Sequence, residues 1–514
     1  MTASKPALPP FTLEELVGQV IMAVWPEDEE RLAALVARGR IGGVFLRPGQ
    51  GAGWRQLAAA LSTLQRTATY PLLCAADPVA MAGPLSPCEL ALGAARLPEL
   101  AQRCGRAAGA QARALGIHLL LAPSLDVHRE PGPQACPMRS FGENPSLAGR
   151  LGAAFVAGCH AGRALAVAGR FPGRGGAVYD PERALYVLPH DRQTLEKIDL
   201  VPYVEACGAG LRAIMSGHLH VVALDNLPNR LATHSSAVVE GLLRRTLRFS
   251  GLLLSDNLDA PEVRARYRPG QAAVLALAVG HDLLVTESPE EVYRALYEVV
   301  QHGDIPLERL REAAGRVWAA KEWLGLPGER FVDLPPEEVA EVPALASEVA
   351  RASLTVVWGR PERLAGPGAV VLSSRSRRAD GSAVEADVRR LAGNLLTDVS
   401  FYALDPDPAP TQLDQVAASA ATARAALLFV DAVGAGADWP GLKAMAALAQ
   451  TCKRVGLPVG VFLLGNPHVL ARFCQVDLLA YLPGHEQPYL EAAFSFLLGR
   501  SGAPGRLSVT VAGM

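Results

Sequence analysis

The chain has 514 residues, of which half are hydrophobic and 19% are charged. This length exceeds one compact core, so two domains are expected, and the composition excludes an intrinsically disordered chain. The formal net charge of −2 gives no electrostatic reason to expect nucleic acid or an anionic membrane surface as a partner. No apolar run reaches membrane-spanning length, and the eight scattered cysteines form no C-x-x-C pair, so we expect a soluble cytoplasmic protein with reduced thiols.

Short apolar runs alternate with longer amphipathic stretches from residue 12 to residue 325. Seven of these runs are predicted strands: Ile41–Leu46, Leu72–Ala76, Ile117–Ala122, Leu165–Ala168, Ala213–Met215, Leu252–Ser255 and Asp282–Val285. Because the runs are apolar throughout, they suit parallel strands that are covered on both faces. Seven or eight such units predict a (β/α)8-type, TIM-like barrel. A doubly wound open sheet is the main alternative, but its G-x-G-x-x-G motif after the first strand is absent.

A second domain is predicted after the barrel. Pro327, Pro335 and Pro336 interrupt the pattern, and a bridging helix then follows. Further buried runs, again predicted to be parallel strands, are Ser353–Trp358, Ala369–Leu372, Ala426–Asp431, Val459–Leu464 and Leu478–Tyr481. We therefore predict a barrel domain over residues 1–335, a linker helix over 336–352 and a smaller α/β sandwich over 353–514.

Several strand candidates are followed by a charged or polar residue. Pro-Leu-Leu-Cys-Ala-Ala-Asp at 71–77 ends in Asp77, and Leu-Ser-Asp-Asn-Leu at 254–258 places Asp256 after a buried run. Three further segments carry Asp126 (residues 122–127), Arg139 (138–143) and His218 (213–218). With residues 11–19, 41–46, 465–467 and 498–507, this ordered set resembles glycoside hydrolase family 3, in its bacterial β-N-acetylglucosaminidase branch.

The resemblance implies a role for each of these residues. It implies that Asp256 is the nucleophile of a retaining glycosidase, which also needs an acid/base that protonates the leaving oxygen and then activates water. It implies that the substrate-binding residues are Asp77, Asp126, Arg139, Arg170 and His218. Because barrel sites are built from the C-terminal ends of strands, we expect these five residues and Asp256 to meet at one barrel mouth.

The chain departs from the family in the loop Gly-Arg-Phe-Pro-Gly-Arg-Gly-Gly at 169–176. The family carries K-H-F-P-G-H-G-D there, so the sugar-gripping Lys-His pair is replaced by Gly169 and Arg170. The family's proton donor is a histidine in a D-S-H segment, whereas residues 177–189 contain no histidine. Glu182 and Asp180 are the nearby carboxyls, and Glu182 is the candidate acid/base. His190 follows this stretch and lies outside the expected position.

Each candidate also has a purely structural interpretation. Asp256 could cap the following helix, and Asp77 with Arg139 could form an ion pair under a loop. His218 could be hydrogen-bonded in the core. Arg170 stays charged near neutral pH, so it could pair with Asp256 and hold it ionised, while Glu182 and Asp180 could be solvated loop charges.

The resemblance therefore predicts a hydrolase of O-glycosyl bonds that acts on a β-linked carbohydrate or glycoconjugate, with its N-acetylglucosaminide specificity weakened. The alternative is a non-catalytic descendant that binds a sugar or serves as a scaffold. A nucleotide-dependent α/β enzyme fits poorly because no phosphate-binding loop is present. Metal-ligand spacing is also absent, since His218 and His220 have no third ligand nearby, so no metal or cofactor is expected.

Overall fold

The computed structural model describes residues 8–26, 28–47, 54–78, 88–129, 137–328, 330, 342–378, 381–433 and 439–514. The chain forms two compact units. The first comprises Met1–Ser86, Ala101–Val127 and Gly152–Glu341, and the second comprises Pro87–Leu100, His128–Leu151 and Val342–Met514. Two short segments thus join the second unit although they precede residue 335 in the chain. The predicted domain borders stay predictions, and residues 336–341 of the predicted linker helix lie outside the described residues.

The first unit is built on eight parallel strands. They are β1 (Ile21–Val24), β2 (Gly43–Leu46), β3 (Leu73–Ala76), β4 (Leu119–Leu120), β5 (Leu165–Phe171), β8 (Ala213–Ser216), β10 (Leu252–Leu254) and β11 (Leu284–Thr286). Their order in the sheet is β10-β8-β5-β4-β3-β2-β1-β11. An isolated parallel bridge between Leu254 and Leu283 links the two ends of the sheet, which makes the ring nearly closed. The predicted TIM-like barrel is confirmed.

Seven of the eight barrel strands coincide with the predicted runs, and β1 is the strand that the prediction missed. This strand starts two residues after the helix Leu13–Gln19 ends, with no turn residue between them. Its apolar residues therefore continue the pattern of the helix. The helix itself begins where the sequence indicates, because Thr12 and Glu15 form a reciprocal capping box.

Alternate residues of the barrel strands fill the interior of the ring. Because successive strand side chains point to opposite faces, every second residue faces inward. These buried residues include Met22, Val24, Leu73, Ala75, Leu165, Val167, Ala213, Met215, Leu252, Leu254, Leu283 and Val285. Burying each of the larger ones contributes roughly 1.5–3 kcal/mol.

Helices connect the strands along the whole chain. The α-helices of four or more residues are Leu13–Gln19, Glu29–Ala37, Trp54–Thr67, Glu89–Ala95, Pro98–Ala114, Pro145–Ala161, Val201–Gly208, Pro261–Arg264, Pro269–Val279, Pro289–His302, Leu307–Trp323, Val342–Ser353, Val384–Leu395, Pro410–Ala420, Pro440–Arg454 and Gln487–Leu497. Two π-helical segments occupy Leu195–Asp199 and Ala237–Thr246. No helix within the described residues is long and apolar enough to cross a membrane.

A three-stranded sheet lies in the connections that follow β5 and β8. It consists of β6 (Val178–Asp180), β7 (Leu185–Leu188) and β9 (Leu219–Val221), in the order β6-β7-β9. β6 and β7 form an antiparallel hairpin, and β7 pairs in parallel with β9. The histidine-free stretch 177–189 therefore contains an antiparallel hairpin.

The second unit contains a six-stranded sheet in the order β12-β17-β16-β15-β13-β14. The strands are β12 (Thr355–Gly359), β13 (Ala369–Ser374), β14 (Val399–Leu404), β15 (Ala425–Ala432), β16 (Val459–Gly465) and β17 (Leu478–Leu482). Five of them were predicted, and the predicted α/β sandwich is confirmed. The prediction that β12 is parallel was wrong, because β12 runs antiparallel to β17 at the edge of the sheet. β14 was missed because this edge strand is only half-buried and lacks a continuous apolar run.

Candidate active site

Five of the six predicted site residues follow or end strands of the barrel. Arg170 is the penultimate residue of β5. The other four come shortly after a strand: Asp77 after β3, Asp126 after β4, His218 after β8 and Asp256 after β10. Since the strands are parallel, these ends face the same mouth of the barrel. Arg139 belongs to the second unit, at the end of the short helix Pro137–Arg139, and its sugar-binding role stays a prediction.

Asp256 and Arg170 form an ion pair at this mouth. Arg170 Nε donates to Asp256 Oδ2 at 2.8 Å, and the N–H of Asn257 donates to Asp256 Oδ1 at 2.8 Å. Burial alone would raise the pKa of Asp256, but Arg170, then His218 and the Asn257 N–H, outweigh it and lower the pKa to about 2. The carboxylate is therefore ionised over the whole neutral range. The pairing of Arg170 with Asp256 that the sequence suggested is present.

Asp126 and Asp77 also act electrostatically on the Arg170 guanidinium. The charge of Asp256 acts most strongly on Arg170 and raises its pKa, with smaller contributions from Asp126 and Asp77. Asp126 Oδ1 accepts the backbone N–H of Arg174 at 2.8 Å. Burial raises the pKa of Asp126 to about 6, against the opposing effects of Arg174 and Arg170. The mouth thus holds two carboxyls with opposite pKa shifts, which is a common arrangement in acid–base catalysis.

His218 is held by the protein through both of its ring nitrogens. Its Nδ1 lies 2.9 Å from Thr233 Oγ1, and its Nε2 lies 2.9 Å from the carbonyl oxygen of Asn257. Because a carbonyl oxygen only accepts, Nε2 carries a proton and donates it. The side chain is buried. His218 therefore fixes the backbone next to Asp256, which agrees with the structural alternative considered for it, and its predicted contact with substrate stays a prediction.

The loop after β5 packs against a pair that the sequence did not reveal. His190 Nδ1 lies 2.7 Å from Asp199 Oδ2, and Asp199 is almost fully buried. A Cβ atom placed on Gly176 would lie 2.6 Å from His190 Nε2, so only glycine fits against the ring. The helix Arg192–Thr194 and the π-helical segment Leu195–Asp199 join the two residues, and the sequence pattern did not indicate this local geometry. His190 was placed outside the site by sequence, yet it lies against the end of the 169–176 loop.

Glu182, the predicted acid/base, lies in the exposed turn between β6 and β7. Its backbone N–H and that of Arg183 donate to Asp180 Oδ1, at 3.0 and 3.2 Å. Asp180 therefore caps the turn, and Glu182 is surrounded by solvent. Among the described residues, no group of three or more His, Cys, Asp or Glu side chains could hold a metal ion.

Comparison with known proteins places these observations in one family. The pattern of the glycosyl hydrolase family 3 N-terminal domain matches residues 12–320. The β-N-acetylglucosaminidase/β-glucosidase of Cellulomonas fimi is 30% identical over 376 residues, which cover 68% of this chain and 65% of that protein. β-Hexosaminidase A of Pseudoalteromonas piscicida is 32% identical over 193 residues, or 36% of this chain and 32% of that protein. The match therefore spans less than two thirds of either relative's length.

A solved structure has the same fold over nearly the whole chain. The family 3 β-N-acetylglucosaminidase from Paenibacillus sp. superposes with a TM-score of 0.84 at 24% identity, covering 98% of this chain and 100% of that one. The β-glucosidase from Listeria innocua superposes with a TM-score of 0.81 at 20% identity, covering 98% and 75%. Because the family pattern covers more than half of the residues, the chain belongs to glycoside hydrolase family 3.

Proposed function

We propose that the protein is a retaining glycoside hydrolase that cleaves O-glycosyl bonds of β-linked sugars, N-acetylglucosaminides among them. The observation that carries this proposal is the strand-end carboxylate of Asp256, held ionised at the barrel mouth by Arg170. An ionised carboxylate at this place can attack an anomeric carbon and form a glycosyl–enzyme ester. The free thiols of all seven cysteines in the described part of the chain support the cytoplasmic location expected from the sequence.

Hydrogen bonds orient both carboxylate oxygens of Asp256. Oδ1 is oriented by the Asn257 N–H, and Oδ2 accepts from Arg170. Attack breaks the bond between the anomeric carbon and the leaving oxygen, whose electron pair then needs a proton unless the leaving group is a stable anion. Water later attacks the same carbon, loses a proton and releases Asp256. The ion pair lowers the basicity of Asp256, so we expect its attack on the anomeric carbon to be slow.

Three groups can supply the proton. Glu182 is the candidate from sequence, and it lies in the exposed turn between β6 and β7. Asp126 is better suited, since burial raises its pKa to about 6 and it lies beside Arg170 as Asp256 does. The His190–Asp199 pair is the third, because its hydrogen bond orients the imidazole as in known acid–base pairs.

The replacement of the family's Lys-His pair by Gly169 and Arg170 supports weakened N-acetylglucosaminide specificity. A site discriminates strongly by hydrogen bonds only when the partner groups are present, and Arg170 is already engaged with Asp256. We propose that Asp77 contacts the sugar hydroxyls, and the sugar-binding role of Arg139 stays a prediction. Isothermal titration with N-acetylglucosamine should give an affinity weaker than micromolar, and micromolar binding would contradict this part of the proposal.

The Arg170–Asp256 ion pair also favours a second candidate function, because it lowers the basicity of the carboxylate that would attack the sugar. This second candidate is a non-catalytic sugar-binding or scaffold protein. One assay separates the two: nitrophenyl β-glycosides of several sugars, N-acetylglucosamine included, are incubated with the wild-type protein and with Asp256→Ala. The hydrolase proposal expects slow nitrophenolate release that Asp256→Ala abolishes. Absence of release from every glycoside, with sugar binding retained, would establish the non-catalytic alternative.

A further inference from the structure

A cavity of about 660 Å³ lies between two helices on the outside of the barrel, Glu29–Ala37 and Pro289–His302. The first helix joins β1 to β2 and the second follows β11, and these three strands are neighbours in the barrel sheet. Arg38 and Arg40 also line the cavity, and both come before the start of β2. Because the mouth is formed by the C-terminal ends of the strands, the cavity extends toward the opposite end of the barrel.

The charged lining of this cavity is mainly cationic, with four arginines against two glutamates. One of each is already paired, since Arg31 donates from Nε and Nη2 to the two carboxylate oxygens of Glu290 at 2.5 and 2.6 Å. The guanidinium of Arg40 lies over the ring of Tyr293, 4.2 Å from the ring centroid. The surplus of positive charge therefore comes mainly from the two arginines that remain.

Arg38 and Arg294 carry this surplus without a partner. Both residues are exposed, and neither guanidinium forms a hydrogen bond or an ion pair with any described residue. Glu298, the second glutamate of the lining, lies about one turn after Arg294 on the same helix, yet the two side chains form no ion pair. Each guanidinium presents five N–H donors in a planar fork, so the cavity offers two such groups that the protein leaves unused.

Part of the remaining lining is aromatic and aliphatic. Tyr293 and Tyr297 lie stacked, with their ring centroids 6.4 Å apart and their planes at 13°. The hydroxyl of Tyr293 donates to the carbonyl oxygen of Glu14 and that of Tyr297 to its Oε1, both at 3.3 Å. Since the hydroxyls are engaged, the two tyrosines present mainly ring surface to the cavity, together with the side chains of Ala34 and Leu35. A ligand with an apolar body and an anionic group would satisfy both parts of this lining.

We propose that this cavity is a second ligand site, outside the barrel mouth, that binds a small phosphate monoester through Arg38 and Arg294. A phosphate group carries close to two negative charges and three acceptor oxygens, so one group can accept from two guanidiniums at once. The body of the ligand lies against the ring of Tyr297 and the side chain of Leu35. The volume of the cavity falls in the range of small-molecule sites. The site is separate from the proposed glycosidase function, because its residues belong to the outer helices and to the segment before β2.

The test uses phenyl phosphate and phenyl sulfate, which have nearly the same shape but carry about two charges and about one charge at pH 8. Isothermal titration at low salt should show phenyl phosphate binding about 5- to 30-fold more tightly, with the advantage shrinking at pH 5, where the phosphate gains a proton. Arg38→Gln and Arg294→Gln should each remove most of this advantage, while Glu298→Gln should enlarge it. Arg311→Gln is the matched control, because Arg311 is exposed on the helix Leu307–Trp323, lies outside the cavity and forms no ion pair with a described residue.

Arg38 is also the C-cap residue of the helix Glu29–Ala37, where its charge is favourable to the helix dipole. If that were its whole role, Arg38→Gln would melt at a lower temperature but keep the preference for phenyl phosphate, which would contradict the inference. Equal affinity for the two phenyl esters in the wild-type protein at pH 8, or no binding of phenyl phosphate up to about 10 mM, would overturn it. A preference that persists in Arg294→Gln would overturn it as well, because phenyl phosphate would then bind elsewhere.

Discussion

The two sides of the barrel mouth differ in how their polar groups are held. On the β8 and β10 side, Asp256 and His218 are bound through both carboxylate oxygens and both ring nitrogens. On the β5 side, the loop 169–176 leads into a hairpin whose turn exposes Glu182 to solvent. The proposed nucleophile, Asp256, is therefore held by hydrogen bonds to both oxygens, whereas the candidate proton donor Glu182 lies in an exposed turn. We therefore expect that nucleophilic attack by Asp256 and proton transfer to the leaving oxygen can be altered separately by substitution.

The largest effect should be a dependence on the leaving group. A nitrophenolate departs without a proton, but the alkoxide of a sugar needs one, and a donor less effective than the family's histidine loses up to about 10²–10⁴-fold in rate. We therefore expect slow cleavage of activated aryl glycosides and almost none of disaccharides. The measurement is kcat/KM over a series of aryl glycosides that differ in phenol pKa, with a β-linked disaccharide as the last member. A flat series with fast disaccharide turnover would contradict this prediction.

Removing the Arg170 charge should shift the pH dependence of kcat/KM. Arg170 and His218 lower the pKa of Asp256 to about 2, so the wild-type protein should show no acid limb due to Asp256 in kcat/KM at or above about pH 4. In Arg170→Gln burial dominates, and the limb should appear at higher pH as Asp256 becomes protonated. The control is Arg192→Gln, on the surface. An unchanged pH profile of kcat/KM for Arg170→Gln would show that Arg170 does not control the ionisation of Asp256.

Asp126, whose pKa is raised where that of Asp256 is lowered, should make the free energy of unfolding depend on pH. Its pKa of about 6 is above the value for an unfolded chain, so folding is favoured while Asp126 is protonated and loses stability as pH rises through about 6. Asn keeps an oxygen for the Arg174 N–H but never ionises. The stability of Asp126→Asn relative to wild type should therefore increase from pH 4 to pH 7, by up to about 2 kcal/mol. Urea unfolding at both pH values measures this, and a constant difference would contradict the buried, titrating carboxyl.

His218 should position Asp256 through the Asn257 carbonyl and should not transfer a proton itself. Substituting His218→Ala removes its hydrogen bonds to the Asn257 carbonyl and to Thr233 Oγ1. We expect kcat on nitrophenyl glycosides to fall by about 10-fold with little change in KM, since a modest shift of Asp256 lowers the reaction rate. His218→Gln, which can still reach the carbonyl, should recover part of the loss. A new pKa in the pH profile of either variant would instead indicate proton transfer by His218.

The smallest effect is expected for Glu182. Glu182→Gln should leave the leaving-group dependence unchanged if Asp126 or His190 is the proton carrier, because Glu182 lies in an exposed turn. Asp126→Asn and His190→Phe are compared in the same series, at matched pH. A selective loss of activity toward poor leaving groups in Glu182→Gln would identify Glu182 as the acid that the sequence suggested.

Much of the barrel could be predicted because its strands are continuous apolar runs bounded by polar residues. β1 and β14 were missed for physical reasons, since β1 continues the apolar pattern of a helix and β14 lies half-buried at a sheet edge. Strand-end residues such as Asp77 and Asp256 were predictable because parallel strands present their C-terminal ends together. The His190–Asp199 pair was not predictable, because the chain between the two residues includes the π-helical segment Leu195–Asp199, which the sequence pattern did not indicate.

The most direct test of the account is to trap the covalent intermediate on Asp256. A 5-fluoro-β-N-acetylglucosaminyl fluoride slows release of the sugar while its good leaving group still allows attack. After incubation and digestion, mass spectrometry should find the sugar on the peptide that carries Asp256, with no label in Asp256→Asn. A label on another carboxylate, or turnover of nitrophenyl glycosides that persists in Asp256→Asn, would contradict the assignment of Asp256 as nucleophile.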